Sequence, residues 1–180
     1  MEKIRVFVID PAWRQRKGGL RKSRGNQGRE LDYVTMEVPE IFGLLDRKIF
    51  PLAEDDHCVF MWTIDRFLHE CENEMEKRGY KRHCRMIWNK QNGVAPAFTV
   101  RYSHEYLIWF YRKRLPPIAG EQRGKFMTVF AERGRQHSRK PDFCYRMIDA
   151  LYPSCGKMDV FSRERRHGWR QFGNQTDYFN

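Results

Sequence analysis

Asp10 closes the apolar run Ile4-Arg5-Val6-Phe7-Val8-Ile9 and is followed by Pro11, Ala12 and Trp13. The run is short and nearly continuous in its apolar character, as in a strand of a parallel sheet buried on both faces. In an open α/β sheet, chemistry collects just outside the carboxyl ends of the strands. Asp10 therefore stands where a reacting group should stand, with Pro11 stiffening the turn and Trp13 offering a flat face. An Asp-Pro pair also commonly does no more than start a turn, so the surrounding segments must decide between the two readings.

Residues 14–30 carry seven Lys or Arg, four Gly and one acidic residue. Such a segment cannot bury enough apolar surface to offset its ordering entropy. Beside a strand-end carboxylate it reads as a loop that closes on a polyanion, the plainer alternative being a solvated basic loop. It is expected to order only with substrate, with Arg16, Lys17, Arg21 and Lys22 supplying phosphate contacts. Lys140 is the second outlier. It precedes Pro141 at the start of an expected helix, where the helix dipole disfavours a cation by roughly 0.3–1 kcal/mol. A partner anion explains that position; an exposed lysine pointing away is the alternative.

The elements that must position these groups alternate in type. Strands are expected at Ile4–Ile9, His57–Thr63, Arg85–Lys90, Glu105–Tyr111, Phe126–Phe130 and Lys157–Ser162. Helices are expected near residues 38–48, after Asp65 as cap and before Gly79, and over Pro141–Leu151. Residues 91–103 read as a loop. The alternation predicts an α/β fold, a Rossmann-like three-layer sandwich, as one domain over residues 1–180.

Composition narrows the partners. With 34 Lys and Arg against 23 Asp and Glu, the formal charge is +11, pointing to nucleic acid or another polyanion. No apolar segment is long enough to span a bilayer and no signal-peptide pattern appears, so no membrane partner and a cytoplasmic location are expected. Five widely spaced cysteines without a CxxC pair read as reduced core thiols, with no metal site.

No GxGxxG follows the first strand. The chain instead opens with Asp-Pro-x-Trp and closes with Met158-Asp159-Val160-Phe161-Ser162-Arg163, Gly168-Trp169 and Gly173-Asn174-Gln175. Between them lie Tyr33-x-Thr35-Met36, Phe60-Met61-Trp62-Thr63, Trp88-Asn89-Lys90, Ser103-His104-Glu105, His137-Ser138-Arg139-Lys140-Pro141-Asp142 and Tyr152-Pro153. In this order and spacing the chain resembles the MT-A70 family of N6-adenine methyltransferases, whose signature is Asp-Pro-Pro-Trp. The resemblance implies a circularly permuted class I methyltransferase fold and S-adenosylmethionine as cofactor.

That resemblance assigns roles. Asp10, Pro11, Ala12 and Trp13 form the catalytic turn, the Asp10 carboxylate and the Pro11 carbonyl each accepting one N–H of the target amine. Trp13 and Tyr33 sandwich the purine. Lys140 takes the carboxylate of the cofactor's methionine moiety; Ile9, Asp10, Phe161, Arg163, Asn174 and Gln175 complete the cofactor contacts. Lys90 faces the target beside the basic loop, and His104 and Glu105, at a strand start, face target or cofactor. The substrate is nucleic acid, DNA ahead of RNA, and a homo- or heterodimer is compatible with the family. A non-catalytic nucleic-acid-binding relative is the other class of reading, and a metal-dependent nuclease using Asp10 and Glu105 the third.

Three departures stand out. Ala12 replaces the second proline of the signature, loosening the turn. Only two residues precede Lys3, so a wall of the adenine pocket is expected from elsewhere. The stretch Glu164 to His167 is shorter and more basic than its family counterpart.

Overall fold

A computed structural model describes residues 3–14, 34–91, 95–96, 100–136 and 138–180. Its centre is a seven-stranded sheet flanked by helices on both faces, the expected three-layer class. In chain order the strands are β1 (Ile4–Ile9), β2 (Ala53–Thr63), β3 (Tyr80–Asn89), β4 (Ala95–Pro96), β5 (Arg101–Tyr102), β6 (His104–Arg112), β7 (Val129–Ala131), β8 (Lys157–Val160) and β9 (Arg170–Phe172). The helices are α1 (Val38–Leu44), α2 (Leu68–Lys77) and α3 (Asp142–Leu151). The large sheet runs β7-β3-β6-β2-β1-β8-β9, and β4 and β5 pair separately. Its pairs are parallel except for those of β6, which is antiparallel to both β2 and β3.

β1 is buried on both faces, as its continuous apolar character predicts. Phe7 and Ile9 join the core under α1 and α2, with Ile41, Phe42, Cys71 and Met75. Val6 and Val8 face the opposite core under α3, with Cys144, Met147, Ile148 and Leu151. Ile4 breaks the alternation and lies on the Phe7 side, because the β1–β2 register slips between Ile4 and Val6. All five cysteines are free, and burial pushes the Cys58 thiol up to about 12.

Several boundaries differ from the sequence-based ones. The helix expected near 38–48 is α-helical only to Leu44 and continues as a π turn, Leu45–Ile49, then a 3-10 turn, Phe50–Leu52. Asp65 caps nothing; it opens a 3-10 turn, Asp65–Phe67, that leads into α2. α2 does end at Gly79, whose φ of 80° suits glycine and whose N–H donates to Glu76 O at 2.8 Å. β3 begins five residues earlier than expected, at Tyr80, because its first half is an exposed face rich in charge. Arg82 in that half and Arg85 just beyond it are held by Glu72 of α2, at 2.8 and 2.6 Å. β4 and β5 lie inside the expected 91–103 loop, the strand expected at 126–130 is β7 further on, and β9 was not expected at all. Among the described residues no helix is long and apolar enough to cross a membrane.

Candidate active site

β1 delivers Asp10 to the carboxyl edge of the sheet, where the Asp10 N–H donates to Val160 O of the neighbouring β8 at 3.2 Å. Lys140 reaches the same point from the segment before α3. Its Nζ lies 3.0 Å from Asp10 Oδ1 and 3.0 Å from Glu105 Oε2. The second oxygen of Glu105 accepts from Lys90 Nζ. Strand pairing sets this up: Trp88 of β3 is opposite Glu105 of β6, and the Lys90 N–H donates to Ser103 O at 2.9 Å. Two carboxylates and two ammoniums thus alternate in a chain whose side chains are only 11–23% exposed.

The alternation governs the protonation of each group. Burial raises the Asp10 carboxyl above its ordinary range, against the pull of Lys140. Burial works the same way on Glu105, but Lys140 and Lys90 together outweigh it and hold that carboxyl low. Burial also works against the Lys140 ammonium, and the two carboxylates more than compensate, keeping it charged. The misplaced cation of the sequence has therefore found its anions inside the protein. The N-terminus of α3 has found a different one: Glu132 accepts from the N–H groups of Asp142 and Phe143 at 2.8 and 2.9 Å. No motif marked Glu132; only the sheet brings the end of β7 to α3.

The turn after Asp10 is tightly held despite Ala12. Pro11 O accepts from the Trp13 N–H at 2.8 Å and Ala12 O from the Met36 N–H at 2.8 Å. Arg14 N–H returns a bond to Met36 O at 3.1 Å, so a bridge to Met36 takes over the stiffening the second proline supplies elsewhere.

Trp13 is anchored in the core: it is 5% exposed, its Nε1 donates to Trp62 O at 3.3 Å, and its ring stacks on Phe67 at 5.2 Å between centroids. Phe67 takes one face of the ring, and the residue also lines the cavity over the turn. Ile9, expected among the cofactor contacts, is fully buried in the core and is not among the residues that line the cavity.

A cavity of about 940 Å³ opens over the turn and gathers the other expected groups. Asp10, Pro11 and Ala12 share it with Lys90, His104, Glu105 and Lys140, and with Phe161, Arg163, Asn174 and Gln175 from the β8 and β9 ends. Phe161, with φ at 61°, turns the chain out of β8. Gly173 packs against that turn, where a Cβ would meet Ser162 O at 2.6 Å. Arg163 also lies over Tyr178 at 3.9 Å, so its guanidinium is shared between the cavity and the C-terminal segment. His104 meets Tyr106 edge-on. Arg16, Lys17, Arg21, Lys22 and Tyr33 lie outside the described residues. Cavity residues given no role by the sequence include Trp62, Trp88, Tyr102 and Arg139; of these Trp62, Trp88 and Arg139 do stand in the quoted motifs.

Comparison with known proteins now bears on this geometry. A family profile described as MT-A70 matches residues 4–175. The chain belongs to the MT-A70 family. Family relatives include an Arabidopsis thaliana N(6)-adenosine-methyltransferase MT-A70-like protein, 29% identical over 96% of this chain and 24% of its own length. The human N(6)-adenosine-methyltransferase catalytic subunit METTL3 is 26% identical over 97% of the chain and 28% of its own length. The chain thus spans about a quarter of these relatives. A type II methyltransferase, M.MunI of Mycoplasma sp, is 22% identical over 96% of the chain and 77% of its own length. Among solved structures, the M1.HpyAVI–SAM complex shares the fold, with a TM-score of 0.68 at 14% identity, covering 99% of this chain and 86% of the other. The MT-A70 chain departs from its family signature at Ala12, and the Met36 bridge is what holds the turn there.

Proposed function

We propose that this MT-A70 chain transfers a methyl group from S-adenosylmethionine to the N6 amine of adenine in nucleic acid. The observation that carries the reading is the shared cavity: Asp10 and the Pro11 carbonyl at one strand end, Lys140 3.0 Å from Asp10, and Asn174 and Gln175 in the same lining.

The residues present fit that cofactor and a base together. About 940 Å³ lies at the upper end of the roughly 300–1,000 Å³ typical of small-molecule sites. Ile64, Phe161 and Phe172 give it apolar walls between polar ends. Lys140 would hold the methionine carboxylate, because an ammonium has three N–H groups and only two are used on Asp10 and Glu105. Asn174 and Gln175 would take the nucleoside end. When bound, S-adenosylmethionine supplies an electrophilic methyl on a sulfonium.

An exocyclic amine is a poor nucleophile while its lone pair is conjugated with the purine. Asp10 Oδ2 and the remaining lone pair of Pro11 O each accept one amine N–H, which pyramidalises the nitrogen and aims its lone pair. Asp10 acts by orientation and electrostatics, and no strong base is needed. The nuclease alternative loses ground on geometry, since the point between Asp10 and Glu105 is held by Lys140 Nζ.

DNA is the substrate we favour, since the type II methyltransferase M.MunI is matched over 77% of its own length, against 24% for the Arabidopsis MT-A70-like relative. RNA is the second reading, favoured by the names of the MT-A70-like relatives. The target base leaves its stack or arrives single-stranded. Residues 14–30 supply phosphate contacts, and a partner subunit, a second copy or a related chain, is compatible with this reading. The test is incubation with methyl-labelled cofactor and separate DNA and RNA pools, followed by nucleoside analysis. Label in N6-methyladenine is expected; label in no nucleoside, or in another base, overturns the proposal.

A further inference from the structure

Two walls flank the cofactor end of the cavity, and they come from opposite sides of the chain. One is formed by residues 134–136 and 138–140 before α3, which include Lys140; the other is the turn after β8, Phe161 to Arg163. Each contains a non-glycine residue in the left-handed region, Ser138 at φ 64° and Phe161 at φ 61°. Such conformations persist only where surrounding contacts over-determine them.

Glu164 contacts the neighbour of each, Arg139 beside Ser138 and Ser162 beside Phe161. Its carboxylate accepts from Arg139 on the first wall, through both Nε, at 3.2 Å, and Nη2. It also accepts from Arg166 Nη2 at 2.7 Å. Arg166 is anchored in turn, lying over the Tyr145 ring of α3 at 3.5 Å and reaching Asp142 at 3.3 Å. The backbone O of Glu164 takes the Ser162 hydroxyl at 2.9 Å, closing the second wall on itself. The Glu164 side chain is 16% exposed, so these bonds are largely shielded from water and salt.

We infer that Glu164 is a positioning residue for the cofactor: it ties Arg139 beside Lys140 to the Phe161–Arg163 turn and sets the spacing of the two walls. This rests on S-adenosylmethionine occupying that end of the cavity. Without the carboxylate, Arg139 and Arg166 face each other as like charges and the walls spread. Glu164 touches neither reacting atom, so the loss falls on affinity and leaves the methyl-transfer step intact.

The experiment is calorimetric titration of full-length protein with S-adenosylmethionine, alongside steady-state kinetics, for wild type, Glu164→Gln, Arg139→Gln and the double variant. Each single variant is expected to weaken binding about tenfold and raise KM for the cofactor equally, with kcat within twofold, and Glu164→Asp to recover part of the loss. The double variant is expected to be no weaker than either single one, because the two residues act through one bond. Additive losses, a fall in kcat alone, or unchanged affinity overturns the tether. If Glu164→Gln does not fold, Arg139→Gln tests the same bond from its other end. Wild-type protein that binds no S-adenosylmethionine overturns the underlying reading, and the tether with it; wild-type binding with unaffected variants overturns the tether alone.

Discussion

Asp10 Oδ1 lies 3.0 Å from Lys140 Nζ, so the strand-end carboxylate meets its turn already paired with a cation. Only its second oxygen is left to accept from an amine, and that division of labour shapes the first prediction. Asp10→Asn keeps an acceptor for Lys140 and removes the negative charge at the turn. Loss of one such stabilising group costs about 10²–10³ in kcat. Cofactor affinity, measured separately, is expected to change far less. Methyl transfer at a wild-type rate by Asp10→Asn would mean that the carboxylate is not the orienting group.

Asp159 gives a pH dependence with a definite sign. It is 3% exposed on β8, accepts from Tyr145 Oη at 3.1 Å, and burial raises its carboxyl from the usual 3.8 to about 7. Between those values the folded chain holds a proton that the unfolded chain has lost. Stability therefore falls as pH rises through this window and levels off above it, by an amount on the order of 4 kcal/mol. Asp159→Asn removes the term while keeping an acceptor for Tyr145. Thermal melts from pH 5 to pH 8, in about half-unit steps, are expected to show a flatter curve for the variant. Parallel curves for the two proteins would refute it. His57, whose pKa burial lowers, contributes with the opposite sign to both and cancels in the difference.

Gly173 is required by a close approach. A Cβ there meets Ser162 O at 2.6 Å, both backbones being fixed by the β8–β9 pairing. Gly173→Ala is expected to destabilise by about 1–3 kcal/mol, as overpacking does, and to weaken cofactor binding. Gly120→Ala, where a Cβ meets nothing within 4 Å, is the control. Equal melting temperatures for the two variants would show that the turn yields without cost.

Trp13 is expected to behave as a core residue. Its ring is stacked on Phe67 and its N–H bonded to Trp62 O. Trp13→Ala should therefore cost about 3–5 kcal/mol of stability, read from denaturant melts. A variant of native stability with a large rise in KM for nucleic acid would instead restore Trp13 as a stacking platform.

The fold was legible where pattern and burial agree. β1, the core half of β2 and α3 follow from continuous apolar runs and one helical stripe, since two-sided burial leaves few other residue types. β9 and the first half of β3 were not legible. β9 has three half-buried residues, Arg170–Phe172, and exists because β8 offers it an edge. The first half of β3 is charged and exposed, and only pairing with β6 makes it a strand.

The site divides the same way. By itself the sequence determined that Asp10 ends a buried strand, that Lys140 stands at a helix start where the dipole disfavours a cation, and that the motifs fall in MT-A70 order. These are local or ordinal properties, carried by residue type and spacing. Only the tertiary structure decided that the anions are Asp10 and Glu105, that Glu132 takes over the start of α3, and that Trp13 belongs to the core. Each of those depends on strand register and on which elements cross, and a hydrogen bond is set by distances of about 3 Å that no spacing along the chain encodes.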